Sequence, residues 1–456
     1  MRFRVGGNAF EPERLASLSP VKGSGNGFPW AGGGSRSPRA LVPDTFPAMS
    51  TTTRATAGLE TGAFLAAKTD QAIEILKEKG IDVWLTYVRE TLANVDPSLE
   101  LIFEGDLTWE SALILTADGE KIAIVGVHDA PEIEEAGIYK RVIGYREGIS
   151  EPLVNTISRL DPHSIAINVS ENDSLADGLG AGLHRLLQRR FGGTIYADRL
   201  VPAEDVIWSL RGRKLPMEVE AVAQSVHETE KILRETTAMI RPGVTAAELA
   251  DGMRRLAYSR GFECAWTPKV CPIVTVGPST RIGHVSPTAD VISPGSVVHV
   301  DFGVRCQQYC SDLQRMWWVA EGVEGAPEPV ARAFATVIRA IDAAAAALKP
   351  GVQGWEIDQI ARDVLTAAGY EEFTHALGHQ LGRSAHDGGG ATLAPPWERY
   401  NETPYCKVEK GNVFTLEPSI LLPDYGLVAL EENVLVTADG CEFLSTPQRE
   451  LPVLEF

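Results

Sequence analysis

Two carboxylates eleven residues apart, Asp301 and Asp312, sit inside one strand-like run, Val297-Val-His-Val-Asp301-Phe-Gly-Val-Arg-Cys-Gln-Gln-Tyr-Cys-Ser-Asp312-Leu-Gln-Arg315. The β-branched and aromatic residues Val297, Val298, Val300, Phe302, Val304 and Tyr309 flank a polar tip at Arg305 to Gln308, which predicts a β-hairpin. Folding about Cys306 and Gln307 would place Asp301 and Asp312 nearly opposite each other, on one face. Unit charges 4 Å apart repel by about 4 kcal/mol at an effective dielectric of 20, so a cation belongs between them. Two solvated strand acids have the same local pattern, and the rest of the chain must decide.

A second pair follows. In Asn412-Val-Phe-Thr-Leu-Glu417-Pro-Ser-Ile-Leu-Leu-Pro-Asp-Tyr-Gly-Leu-Val-Ala-Leu-Glu431, the turn signal Pro423-Asp-Tyr-Gly426 folds the chain about Asp424 and sets Glu417 opposite Glu431. Between the hairpins, Phe373-Thr-His375-Ala-Leu-Gly-His379-Gln-Leu-Gly-Arg-Ser-Ala-His386-Asp387 packs three histidines into twelve residues. Glycines at 378 and 382 allow close backbone approach, and neutral imidazole is the commonest metal ligand. Four inward acids beside a histidine-rich loop are costly unless cations neutralise them, which implies two divalent metal ions.

The chain has 456 residues, 44% hydrophobic and 23% charged, enough for two or three domains of a soluble globular protein. Its net charge of -19 argues against nucleic acid and anionic membrane surfaces as partners. The six cysteines follow no paired zinc spacing, which points to free thiols and a cytoplasmic location. No apolar run reaches the length of a membrane span.

Residues 1–58 read as a disordered extension rich in Gly, Pro, Ser and Arg, and the change of composition at Met49 marks that residue as the expected initiator. Residues 59–213 alternate strand-like and helical runs, the pattern of an α/β domain. They carry no site motif. A charged helix from Lys214 through Thr237 reads as a linker into residues 214–456. There, Arg241-Pro-Gly-Val-Thr-Ala-Ala-Glu248 running to Gly261 and Lys349-Pro-Gly-Val-Gln-Gly-Trp-Glu356 running to Gly369 form an internal repeat with an offset of 108. Duplicated halves commonly enclose a site between them.

Together these motifs resemble the M24 "pita-bread" metallopeptidase family, which includes methionine aminopeptidase, aminopeptidase P and prolidase. The α/β domain, the linker helix and the spacing His375-x3-His379-x6-His386-Asp387 resemble the prolidase and aminopeptidase P branch. The resemblance implies an α/β N-terminal domain joined to an α+β pita-bread catalytic domain with a pseudo-twofold repeat. It implies five metal ligands: Asp301, Asp312, His379, Glu417 and Glu431. Asp312 and Glu431 would bridge two ions (Mn, Co or Zn), with Asp301 completing one coordination sphere and His379 and Glu417 the other. A hydroxide held between the ions would attack the Xaa-Pro bond of short proline-containing peptides, with Glu417 as proton shuttle. His284, His375 and His386 match the family's substrate-binding histidines, and a homodimer is implied. Arg399 is a candidate for a substrate carboxylate. His299 shares a face with Asp301 and reads as support rather than ligand. Three positions depart from the family's usual pattern: Gln308 and Ser419 stand where Gly is usual, and Ala429 where Arg is usual. The alternatives are a small-amide hydrolase of the same fold, similar to ectoine hydrolase, and a noncatalytic binding module.

Overall fold

A computed structural model describes residues 61–279, 283, 285–322 and 325–456. The expected extension 1–58, with Met49, and the candidate His284 lie outside the described residues. No helix among the described residues is long and apolar enough to cross a membrane.

The first part of the chain builds a six-stranded sheet. Its order is Arg141–Tyr145, Lys121–Gly126, Ser111–Thr116, Val83–Val88, Ile165–Ile167 and Leu200–Pro202. The three strands Val83–Val88, Ser111–Thr116 and Lys121–Gly126 pair antiparallel, and the outer strands add in parallel. These runs are apolar on both faces because both faces are covered. Val83, Leu85 and Tyr87 pack on Leu153, Ile157 and Leu187 of the helices Ser150–Leu160 and Ala181–Arg190. Trp84 and Val88 pack on the other side with Phe64, Leu76 and Ile207. The helix Ala181–Arg190 starts behind Gly180 at its N-cap.

The helix Pro216–Thr236 is more than the expected linker. Its Ala221, Val222, Val226, Ile232 and Leu233 are buried in the core of the following half. Ser225 Oγ donates to Tyr309 O at 2.8 Å, and Thr229 Oγ1 meets Ser311 Oγ at 2.7 Å. The interleaved charges conceal this face because Glu218 is itself buried, paired with Lys68 at 2.7 Å and accepting from Tyr309 Oη at 2.9 Å.

The repeat is structural. Helices Ala246–Ser259 and Gly354–Ala367 are each 14 residues long, and each opens with a capping box, Thr245 with Glu248 and Gln353 with Glu356. Gly243 and Gly351, at φ 91° and 92°, make the same left-handed entry to both, a conformation open to glycine. Each helix lies against its own apolar core. Met253 packs with Val298 and Trp317 in one, and Ile357 packs with Val337 and Phe414 in the other.

Strands Ser296–Phe302 and Leu313–Val319 form the first predicted hairpin, flanked by Ile273–Val276 and Val453–Leu454. Its tip differs from the expectation. Short strands Val304–Cys306 and Tyr309–Cys310 continue the ladder, and the chain turns at Gln307 and Gln308, both with positive φ, 49° and 68°. That is a two-residue turn of the kind that favours glycine, and here glutamine holds both positions. The shift of one residue moves the partner of Asp301 from Asp312 to Gln314. Asp312 becomes a diagonal neighbour, still on the same face because side chains alternate with period two.

The second hairpin follows the predicted register. Val413–Leu416 pairs with Glu432–Val436, and Ser419–Leu422 with Gly426–Ala429, so that Leu416 faces Glu432 and Ser419 faces Ala429. Glu417 and Glu431 occupy the break between these two ladders. Their amides turn elsewhere: Glu417 N donates to Leu377 O at 2.7 Å, and Glu431 N to Gln314 O at 3.3 Å.

Candidate metal centre

The two hairpins and the histidine loop converge. Asp312, His379 and Glu431 offer ligand atoms all within 4.8 Å of one another. His379 Nε2 lies 3.5 Å from Glu417 Oε1 and 3.9 Å from Asp312 Oδ2. Asp301 stands across the first hairpin, against Asp312. Burial pushes the Asp301 carboxyl up to about 7. Burial also pushes Asp312, Glu417 and Glu431 well above the usual carboxylate range, reinforced by the charges of their neighbours.

These groups fit divalent cations. Asp301 Oδ1, Asp312 Oδ1 and Glu431 Oε1 are buried with no hydrogen-bond partner among the described residues. A buried carboxylate oxygen without a donor is costly, whereas a hard cation satisfies several at once.

What registers the hairpins was not read from the sequence. Asn433 accepts from Asp312 N at 3.3 Å and donates to Asp312 O at 2.6 Å. Arg315 donates to Glu431 O at 2.9 Å and pairs with Glu432 at 3.0 Å. Gln314 Nε2 donates to Glu431 Oε2 at 3.0 Å and to Glu417 Oε2 at 3.3 Å. Its Oε1 meets His299 Nε2 at 2.9 Å, so His299 supports the cluster through Gln314. The signal for Gln314 was its place two residues after Asp312, on the same face.

The histidine loop is fixed by its glycines and by a buried clamp. Gly378 exchanges both backbone hydrogen bonds with Leu393, at 3.1 and 3.0 Å, and a Cβ added there would lie 1.9 Å from Thr415 O. Gly378→Ala is therefore expected to destabilise the fold by about 1–3 kcal/mol. Urea unfolding of the variant checks this, and unchanged stability would mean that the loop is not held against Thr415. Upstream, Arg362 donates to the carbonyls of Phe373 and His375, each at 2.6 Å, while its partner Asp358 accepts from Leu377 N at 2.9 Å.

His375, His379 and His386 line one cavity of about 780 Å³ together with Asp301, Asp312, Glu417 and Glu431, so that all five expected ligands face it. The rings of His379 and His386 meet edge-on with centroids 4.3 Å apart. Arg399 is not among the cavity-lining residues. It donates to Thr374 O and lies over Trp397, 4.7 Å from the ring centroid.

Paired repeats around a carboxylate and histidine cluster at the wall of a peptide-sized cavity define a metal-dependent hydrolase. The model of metallopeptidase family M24 matches residues 220–438. An Xaa-Pro dipeptidase of Pyrococcus furiosus is 30% identical over 250 residues, 54% of this chain and 67% of that one. An uncharacterised peptidase of Staphylococcus saprophyticus is 27% identical over 342 residues, 73% of this chain and 87% of that one. Among solved structures, an Xaa-Pro dipeptidase from Bacillus anthracis aligns with a TM-score of 0.66 at 21% identity, covering 86% of this chain and 100% of that chain. A dipeptidase from Mycobacterium ulcerans aligns with the same TM-score at 24% identity, covering 88% and 100%. This chain belongs to metallopeptidase family M24, in its prolidase and aminopeptidase P branch, and has the pita-bread fold.

Proposed function

We propose that the chain hydrolyses Xaa-Pro bonds of short peptides, as a dipeptidase or aminopeptidase, with two divalent cations held by Asp301, Asp312, His379, Glu417 and Glu431. The observation that carries this reading is the set of three buried acid oxygens beside His379 that have no hydrogen-bond partner among the described residues. Bound divalent metal supplies Lewis acidity and a water acidic enough to act as nucleophile near neutral pH. Glu417 contributes the proton path. Its Oε2 accepts from Gln314 and its Oε1 faces His379, so one carboxyl oxygen is fixed while the other is placed to take a proton and return it to the leaving nitrogen. His386, exposed at the rim and edge-on to His379, is placed to hold the substrate. His284 is assigned the same role from the sequence motif. The same reading carries a homodimer, implied by the family resemblance, and a cytoplasmic location.

Metal-loaded protein is expected to cleave an Xaa-Pro dipeptide or an Xaa-Pro-Yaa tripeptide, and to lose this activity on chelation and regain it with Mn, Co or Zn. Elemental analysis gives the number of ions per chain. Near-zero occupancy after reconstitution would sink the reading in favour of a binding module, and cleavage of a cyclic amide alone would favour the amidase.

A further inference from the structure

We infer that Ser419 is a specificity-determining residue that lets the cavity accept peptides with an N–H at the scissile nitrogen as well as Xaa-Pro peptides, an inference that rests on the reading of the cavity as a peptide hydrolase. Both ring nitrogens of His375 have a partner with a defined role. Nδ1 lies 2.8 Å from Ala376 O, and a carbonyl can only accept, so Nδ1 carries the proton. Burial pushes the ring below the usual histidine range and keeps it neutral, which leaves Nε2 as an acceptor. Ser419 Oγ lies 2.8 Å from Nε2 and is the only one of the two that can donate.

Two consequences follow. His375 Nε2, which carries no proton, cannot donate a hydrogen bond to a substrate carbonyl. Ser419 Oγ, its own hydrogen committed to the ring, turns only lone pairs toward the cavity that both residues line. An acceptor at this wall is matched by an amide N–H, which every residue except proline supplies after the scissile bond. The residue directly across the hairpin is Ala429, which also lines the cavity and contributes no charge or donor of its own. The ring cannot turn away to free Nε2 without losing its backbone partner, because Arg362 fixes the carbonyl of His375 and Asp358 the amide of Leu377 on either side of Ala376.

The test compares metal-loaded wild type with Ser419→Gly and Ser419→Ala on the matched dipeptides Leu-Pro and Leu-Ala. Wild type is expected to cleave both. Each variant removes the acceptor that Ser419 places at the cavity wall and leaves only Nε2, 2.8 Å away from that position, and the ratio of kcat/KM for Leu-Pro over Leu-Ala is expected to rise by about 5–10-fold, the worth of one net hydrogen bond at the Ser419 position. A ratio within about twofold of wild type in both variants overturns the inference, since by the same scale it leaves no hydrogen bond to account for. ¹⁵N NMR of the histidine rings adds a readout independent of turnover: the wild type should show His375 protonated at Nδ1 and bare at Nε2, and a proton on Nε2 overturns the inference. Cleavage of Leu-Pro alone by the wild type overturns this inference and leaves the peptidase reading standing. Cleavage of neither overturns both.

Discussion

Asp312→Ala should empty at least one metal position and lower hydrolysis by more than about 100-fold, beyond the 10–100-fold typical of residues that only support a ligand. Asp312 shares a ligand set with His379 and Glu431 and lies diagonal to Asp301 across the first hairpin. The same substitution should make the metal-free protein more stable. Its carboxyl is buried among Glu431, Asp301 and Glu417, with one oxygen that has no partner among the described residues, so removing it relieves both desolvation and like-charge repulsion. Metal added to the wild type should raise its Tm, and metal added to the variant should do so far less. Elemental analysis and thermal unfolding with and without metal measure the two effects separately. Retained activity, or an equal Tm gain on adding metal, would mean that this hairpin is not the centre of the site.

The acids of the site were legible because each lies in or beside a strand whose alternation sets its face, and alternation survives an error in the turn. The first hairpin shows why. Its tip was misplaced by one residue because Cys306, Gln307 and Gln308 carry no turn chemistry, and only the backbone reveals two glutamines at positive φ. Asp301 and Asp312 stayed on one face regardless, since moving the tip shifted the pairing by two residues, a whole strand period. The second hairpin, with Pro423 and Gly426 around its turn, was placed in register. The repeat was legible for a related reason, as its caps and stops are local signals spaced 108 apart.

Gln314, Asn433 and the Arg362–Asp358 clamp were not legible. A glutamine or asparagine gains meaning only from what lies across from it, and Asn433 is 121 positions from the backbone it holds. The buried helix Pro216–Thr236 was hidden by its charges, whose partners Lys68 and Tyr309 come from opposite directions along the chain.

Asp387→Ala is expected to be the most destabilising of the substitutions considered, by about 3–5 kcal/mol, because it removes the buried carboxylate that two buried cations share. Asp387 Oδ1 lies 2.9 Å from Arg211 Nη1 and Oδ2 lies 3.0 Å from Lys214 Nζ, with these three side chains almost wholly buried. Arg211 also reaches Glu100 at 3.1 Å, and Glu100 pairs with Arg383 at 2.9 Å, which in turn bonds Gln308 at the first hairpin tip. One acid thus joins the loop of His379 and His386 to the helix Glu204–Gly212 and, through Glu100 and Arg383, to the hairpin that carries Asp301 and Asp312. The pH dependence follows from the same contacts. Burial alone would raise the Asp387 carboxyl, but Lys214 and Arg211 more than offset it and hold the group below the usual range. A depressed folded-state value means that the stabilisation is present above the unfolded value of about 3.9 and is lost as pH falls below it toward the folded value. Urea unfolding of the wild type should therefore lose stability on acidification below about pH 4, and Asp387→Asn, which cannot titrate, should lack this component. A loss under about 1 kcal/mol in Asp387→Ala would place the variant in the range of an exposed pair and show that Arg211 and Lys214 find other partners.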